Sequence, residues 1–108
     1  MDAEPIYHIA AWDKRPYIIR QVYSGTISEL REKYHSACWF KCLIDHLPPG
    51  NLPDCEVIQV KYHGWAIVED DGDRDRSRHR AARMAHRAIM EDGDAPSSIK
   101  DDILDGLY

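Results

Sequence analysis

Three prolines and a glycine fall within the eight residues Leu47-Pro48-Pro49-Gly50-Asn51-Leu52-Pro53-Asp54. Proline has no backbone N–H to donate and its ring clashes with the preceding helical turn. No helix therefore runs through this stretch, and no central strand uses it. The chain is divided near its middle, and each half must build its own regular elements. Both halves read in the same order, two β-rich runs and then an amphipathic helical run, although no residue identity between them marks a sequence repeat.

In the first half, Ile6 to Trp12 and Tyr17 to Tyr23 are rich in β-formers, and Asp13-Lys14-Arg15-Pro16 lies between them as a polar connection. The second run alternates, with Ile18, Arg20 and Val22 on one side and Tyr17, Ile19, Gln21 and Tyr23 on the other. This is the pattern of a β-hairpin. Ser24-Gly25 breaks it, and Thr26-Ile27-Ser28-Glu29 matches a capping box at the start of a helix. That helix is predicted from about Ile27 to about His46, where the proline run stops it. In the second half, Cys55 to Tyr62 alternates again, His63-Gly64 suits a two-residue turn, and Trp65 to Val68 is the returning strand. An acidic loop, Glu69-Asp70-Asp71-Gly72-Asp73, leads into a helix over about Asp75 to Met90. Gly93 and Pro96 end that helix, and Ser97 or Ser98 can cap a short final one through Leu104. The expected fold is α+β, a four-stranded antiparallel sheet of two hairpins with both helices on one face, in ββαββα order.

The 108 residues fit one domain, with the acidic segment 91–108 peripheral to it. The formal charge of −5 disfavours whole-molecule attraction to nucleic acid or anionic membrane. No apolar run approaches the roughly 18 residues needed to span a bilayer. Asp2 and Glu4 at the N-terminus are unlike a secretory signal, and Cys38, Cys42 and Cys55 are an odd set. Reduced thiols in a cytoplasm are the expectation.

The first helix carries more apolar residues than one buried stripe can use. Ile27, Leu30, Tyr34, Ala37 and Cys38 share a face, yet Ala37-Cys38-Trp39-Phe40-Lys41-Cys42-Leu43-Ile44 is apolar at seven of its eight positions. Trp39, Leu43 and Leu47 form a second stripe. Either the helix end is buried on two sides, or Trp39, Phe40 and Leu43 form an exposed patch that binds a partner or a second copy of the chain.

The second helix divides charge sharply. Arg74 to Met90 holds six arginines against one acid, Asp75, a formal +5 that leaves −10 for the rest of a chain of net −5. Arg76, Arg80, Arg83 and Arg87 are spaced 4, 3, 4 and lie within about 60° on a helical wheel. His79 and His86 flank them, and Ala81, Ala85, Ala88 and Ile89 form the opposite stripe. Aligned arginines repel one another, so something acidic should face them. Three sources are open. The chain's own acids lie before the helix (Glu69, Asp70, Asp71, Asp73) and after it (Glu91, Asp92, Asp94, Asp101, Asp102, Asp105). The second source is an acidic protein partner. The third is nucleic-acid phosphate, which the acidic flanks oppose.

Metal and catalytic signals are thin. His35, Cys38, Cys42 and His46 project from one quadrant of one helix and cannot surround an ion. A metal site would need a subset such as Cys38 and Cys42, completed by Cys55 or His63. Asp73-Arg74-Asp75-Arg76-Ser77 begins like a calcium loop, but Arg78 stands at the turn position and Met84 at the twelfth. Asp73 and Asp75 suit a helix N-terminus instead. Cys55 with His63 is a conceivable thiolate pair, and no nucleophile elbow, phosphate loop or paired-carboxylate motif accompanies it. No cofactor, catalytic residue or metal ligand is assigned.

In size, net charge and the segregation of Asp70-Asp71-Gly72-Asp73 from Arg74–Arg87, the chain resembles small acidic proteins of phages and mobile elements, including anti-CRISPR inhibitors. That resemblance implies a non-enzymatic protein that binds a host complex stoichiometrically in the host cytoplasm. The partner would be a host protein complex that handles nucleic acid, and a homodimer is an accessory possibility. The interaction residues expected are Trp39, Phe40, Leu43, Arg76, Arg80, Arg83, Arg87, Asp70, Asp71 and Asp73. The alternatives are a small nucleic-acid-binding regulator using the arginine helix, and a small Cys/His metal protein or enzyme.

Overall fold

The computed structural model describes residues 4–14, 18–47 and 55–92. The Arg15-Pro16 connection, the proline-rich loop and the short helix expected near 97–104 lie outside them.

Four strands form one antiparallel sheet. They are β1 (Ile6–Asp13), β2 (Ile18–Thr26), β3 (Cys55–Gln59) and β4 (His63–Glu69), in the spatial order β2-β1-β4-β3. Each hairpin is an expected one, and the two are joined edge to edge by β1 and β4, from Tyr7 opposite Glu69 to Asp13 opposite His63. Three helices complete the chain: α1 (Ile27–Tyr34), α2 (Cys38–Asp45) and α3 (Arg74–Met90).

Both central strands are covered on both sides. Ile9 and Ala11 of β1, with Trp65 and Ile67 of β4, point into a core shared with Leu30, Trp39, Phe40 and Leu43 of α1 and α2. Ala10 and Trp12, with Ala66 and Val68, point the other way, against Ala81, Ala85 and Ile89 of α3. The helices therefore lie on opposite faces of the sheet, not on the single face expected. The reason is in the strands. With alternate residues pointing to opposite faces, the consecutive apolar residues of β1 and β4 need cover on both sides.

The single helix expected over about 27–46 is two. Thr26 caps α1, its Oγ1 accepting the Glu29 N–H at 3.1 Å while its hydroxyl donates to the Glu29 carboxylate at 3.2 Å. After Tyr34 the chain turns, Ala37 takes an extended conformation (φ −75°, ψ 134°), and α2 starts at Cys38. On one unbroken helix, Leu30 and Trp39 would lie roughly half a turn apart. The break swings the second stripe onto the same core as the first, which resolves the excess of apolar positions. Trp39 stacks on Tyr23 with ring centroids 4.2 Å apart, and Tyr34 meets Tyr23 edge-on at 4.8 Å.

Two turn expectations also shift. β2 continues through Ser24-Gly25 and passes straight into α1 without a loop. The β3–β4 turn falls on Lys61-Tyr62, closed by the Val60 N–H to His63 carbonyl bond at 2.9 Å, and not on His63-Gly64. Gly64 is a strand residue opposite Trp12, and its missing side chain matters for space, because a Cβ there would overlap the Trp12 indole. Gly64→Ala should therefore cost about 1–3 kcal/mol through overpacking, read as a lowered midpoint in urea denaturation. An unchanged midpoint would mean that Trp12 does not rest on this backbone.

Candidate functional site

α3 is held to the sheet by a polar clip at its N-terminal end and by alanines along its length. Asp73 caps it, one carboxylate oxygen accepting the Arg76 N–H at 3.1 Å. Asp71 accepts the Ser77 hydroxyl at 3.0 Å, the Asp73 N–H at 3.1 Å and the Arg76 guanidinium at 3.1 Å. Beneath the first turn, Arg78 donates to Ser24 Oγ at 2.7 Å and to the Val22 carbonyl at 3.2 Å, which ties α3 to β2. Beyond that point Ala81, Ala82, Ala85 and Ile89 are buried, and small side chains allow the helix to sit close to Ala10 and Ala66.

His8, fully buried, joins the clip to the sheet. Its Nδ1 lies 2.7 Å from Ser24 Oγ and its Nε2 2.7 Å from Asp70 Oδ1. Asp70 also accepts the Gly72 N–H at 3.1 Å, and its own N–H donates to the Ile6 carbonyl at 2.7 Å. Serine, histidine and aspartate thus stand in hydrogen-bonded series, the constellation that activates nucleophiles. Its surroundings give it a structural role. Ser24 Oγ already accepts a charged hydrogen bond from Arg78, which draws electron density from the oxygen. The imidazole has no exposed surface from which to reach a substrate. The series closes a junction of β1, β2, the end of β4 and α3.

The hydrogen bond from His8 holds the Asp70 carboxyl below the usual carboxylate range, helped by the Gly72 N–H. The Asp73 N–H and the Ser77 hydroxyl do the same for Asp71. Asp70, Asp71 and Asp73, expected to contact a partner, each serve the clip or the cap, and Asp71 and Asp73 remain exposed.

The aromatic patch is where an expectation is corrected. Trp39, Phe40 and Leu43 are 4%, 2% and 0% exposed and form the centre of the α1/α2 core. The surface from which a partner contact or a homodimer was expected is interior. Among the described residues, the large exposed apolar side chains are Tyr62 and Met90.

The cysteines also separate. Cys38 and Cys42 lie on α2, where burial pushes the Cys42 thiol up. Cys55 is on β3, with its thiol 3.7 Å from Met84 Sδ and 3.5 Å from an Arg80 donor. His63 bonds to Asp13 at 3.1 Å. Among the described residues, no group of three or more His, Cys, Asp or Glu is arranged to hold a metal ion.

The arginine ridge is where the wheel put it. Arg76, Arg80, Arg83 and Arg87 are all exposed on the outer face of α3, opposite the buried alanines. Arg76 pairs with Asp71. Among the described residues no carboxylate pairs with Arg80, Arg83 or Arg87. Acids bracket the ridge, with Asp73 and Asp75 at its start and Glu91 and Asp92 at its end, where Asp92 lies 3.6 Å from Lys14. Arg78, the one arginine in this stretch turned inward, sits on the alanine side of the same wheel, roughly 200° from Arg76. Its position was the available signal for the buried clip.

No helix among the described residues is long and apolar enough to cross a membrane. No family model matches the chain, and neither the curated proteins nor the solved structures contain a match to it.

Two outcomes test this description. Trp39→Ala should lower stability by about 3–5 kcal/mol as an emptied core site, measured by chemical denaturation, where a change below 1 kcal/mol would return Trp39 to the surface. Asp70 and Asp71 have folded pKa values below their unfolded ones. Their stabilising contribution is therefore full above the ordinary carboxylate value of about 3.9 and is lost as pH falls through the lower folded values. Asp70→Asn should flatten this acid limb of the melting-temperature profile, and an unaltered limb would exclude the His8–Asp70 bond as its source.

Proposed function

We propose that this protein is a non-enzymatic binding module that docks an acidic face of a protein partner on the outer surface of α3. The observation that carries the reading is a line of exposed arginines, three of them without a carboxylate partner among the described residues, on a helix whose other face is fixed to the sheet. Guanidinium groups present planar, paired donors matched to carboxylates. Unpaired and aligned, they raise the local positive potential and favour an anionic surface.

The same geometry favours a protein over a polynucleotide. From Arg76 to Arg87 the ridge is about 16 Å long, with Asp73 and Asp75 at one end and Glu91 at the other, all exposed. A nucleic-acid backbone continues past such a stretch and would meet carboxylates on both sides. A bounded acidic patch would not. The resemblance to small phage and mobile-element inhibitors, the anti-CRISPR type among them, agrees with stoichiometric binding to a host complex. With Asp70, Asp71 and Asp73 each hydrogen-bonded at the start of α3, the surface we assign to that role is the cationic ridge and does not imitate phosphate.

The test is affinity capture from nuclease-treated lysate of the native host, with wild type and the Arg80→Glu/Arg83→Glu/Arg87→Glu variant as baits. A protein recovered in near-equal amount with wild type, and at least tenfold depleted with the variant, is expected. Recovery that depends on nucleic acid, or that survives charge reversal, would reject the reading.

A further inference from the structure

The ridge does not stand alone. On its β3 side, Val57, Met84 and Ala88 form an apolar strip in a groove of about 770 Å³, with Lys14, Gln59, Arg87, Glu91 and Asp92 also lining it. Val57, Met84 and Ala88 are each half-buried against the α3-side core, so the strip is the uncovered margin of that core. β3 is the terminal strand of the sheet, and α3 lies chiefly over β1 and β4, which leaves this margin open between helix and strand. Arg80 leans the same way, reaching Cys55 on β3. Cations and apolar surface therefore run side by side along α3.

We infer that the partner element taken here is an amphipathic acidic helix, laid along α3 with its carboxylates on Arg80, Arg83 and Arg87 and an apolar side chain seated on Val57, Met84 and Ala88. The inference rests on the docking reading above and narrows it. Charge complementarity fixes the acid. Spacing selects the helix. From Arg80 to Arg83 to Arg87 the positions rise by about 4.5 and 6 Å, steps that carboxylates three and four residues apart on a second helix reproduce. Same-face residues of an extended strand recur every ~6.7 Å and drift about 3 Å out of register over the same distance. The apolar strip explains why the acidic helix should be amphipathic, since apolar area removed from water stabilises binding without the screening that weakens exposed ion pairs.

The experiment uses fluorescence anisotropy of the full chain with three labelled probes. Two are designed helical peptides of about 20 residues, long enough to populate helix. Both carry glutamates at three- and four-residue spacing, and they differ only in leucines or alanines on the adjoining stripe. The third is duplex DNA. The leucine peptide should bind about tenfold or more tightly than the alanine peptide. Val57→Thr and Ala88→Gln, each with its fold checked by circular dichroism, should remove that difference while leaving the salt-dependent part of binding. Equal binding of the two peptides, both lost in Arg83→Glu, would overturn the groove and keep the docking reading. No binding of either peptide at low salt would overturn both. DNA bound more tightly than either peptide would also overturn both, in favour of a polynucleotide ligand.

Discussion

The pairing of β1 with β4 is the constraint on which the rest of the molecule depends. It joins two hairpins from opposite sides of a proline-rich division into one sheet. It also places two strands in the middle whose side chains are apolar on both faces. Two covers are then required. α1 and α2 supply one with large side chains, including the Trp39–Tyr23 stack. α3 supplies the other with alanines and Ile89 packed around Trp12. The two cores differ in character because the two covers differ in side-chain size, and close approach of a thin-sided helix is what the α3 face needs.

The polar clip follows from the same arrangement. A helix held by small alanines gains less per residue from burial than one held by leucines. The first turn of α3 is instead fixed by directed bonds. Arg78 reaches β2, the loop residues Asp70 and Asp71 reach His8 and Ser77, and Asp73 closes the cap. The carboxylates of the clip accept directed N–H and O–H donors, and the half-buried Arg78 meets two oxygen acceptors. The arginines on the far side have no such obligation. Their exposure is a consequence of how completely the inner face is satisfied.

Much of this was legible in the residues. The two hairpins, the capping box at Thr26, the Asp73 cap and the outward direction of Arg76, Arg80, Arg83 and Arg87 follow from period, turn chemistry and helix geometry. The opposed helices were legible too, in the unalternating runs Ile9-Ala10-Ala11-Trp12 and Trp65-Ala66-Ile67-Val68, because a strand with only one covered face alternates. The α1–α2 break was not marked by proline or glycine, since His35-Ser36-Ala37 contains neither. The mismatch between two apolar stripes was its trace, and that mismatch fits an exposed patch equally well until the third dimension is known. The His8–Ser24–Asp70 series joins residues 16 and 62 positions apart, and strand register creates it, so no local pattern announces it. Likewise Gly64 reads as a turn residue from its neighbours and acquires its role from Trp12, on another strand.

α3 covers the face of the sheet opposite α1 and α2, which turns its arginines outward. Nuclear Overhauser contacts from the Ala81, Ala85 and Ile89 methyl groups test it directly. Those contacts should reach Trp12 and Val68 and not Trp39 or Leu43. Contacts from the same methyl groups to Trp39 or Leu43 would place all the helices on one face and contradict it.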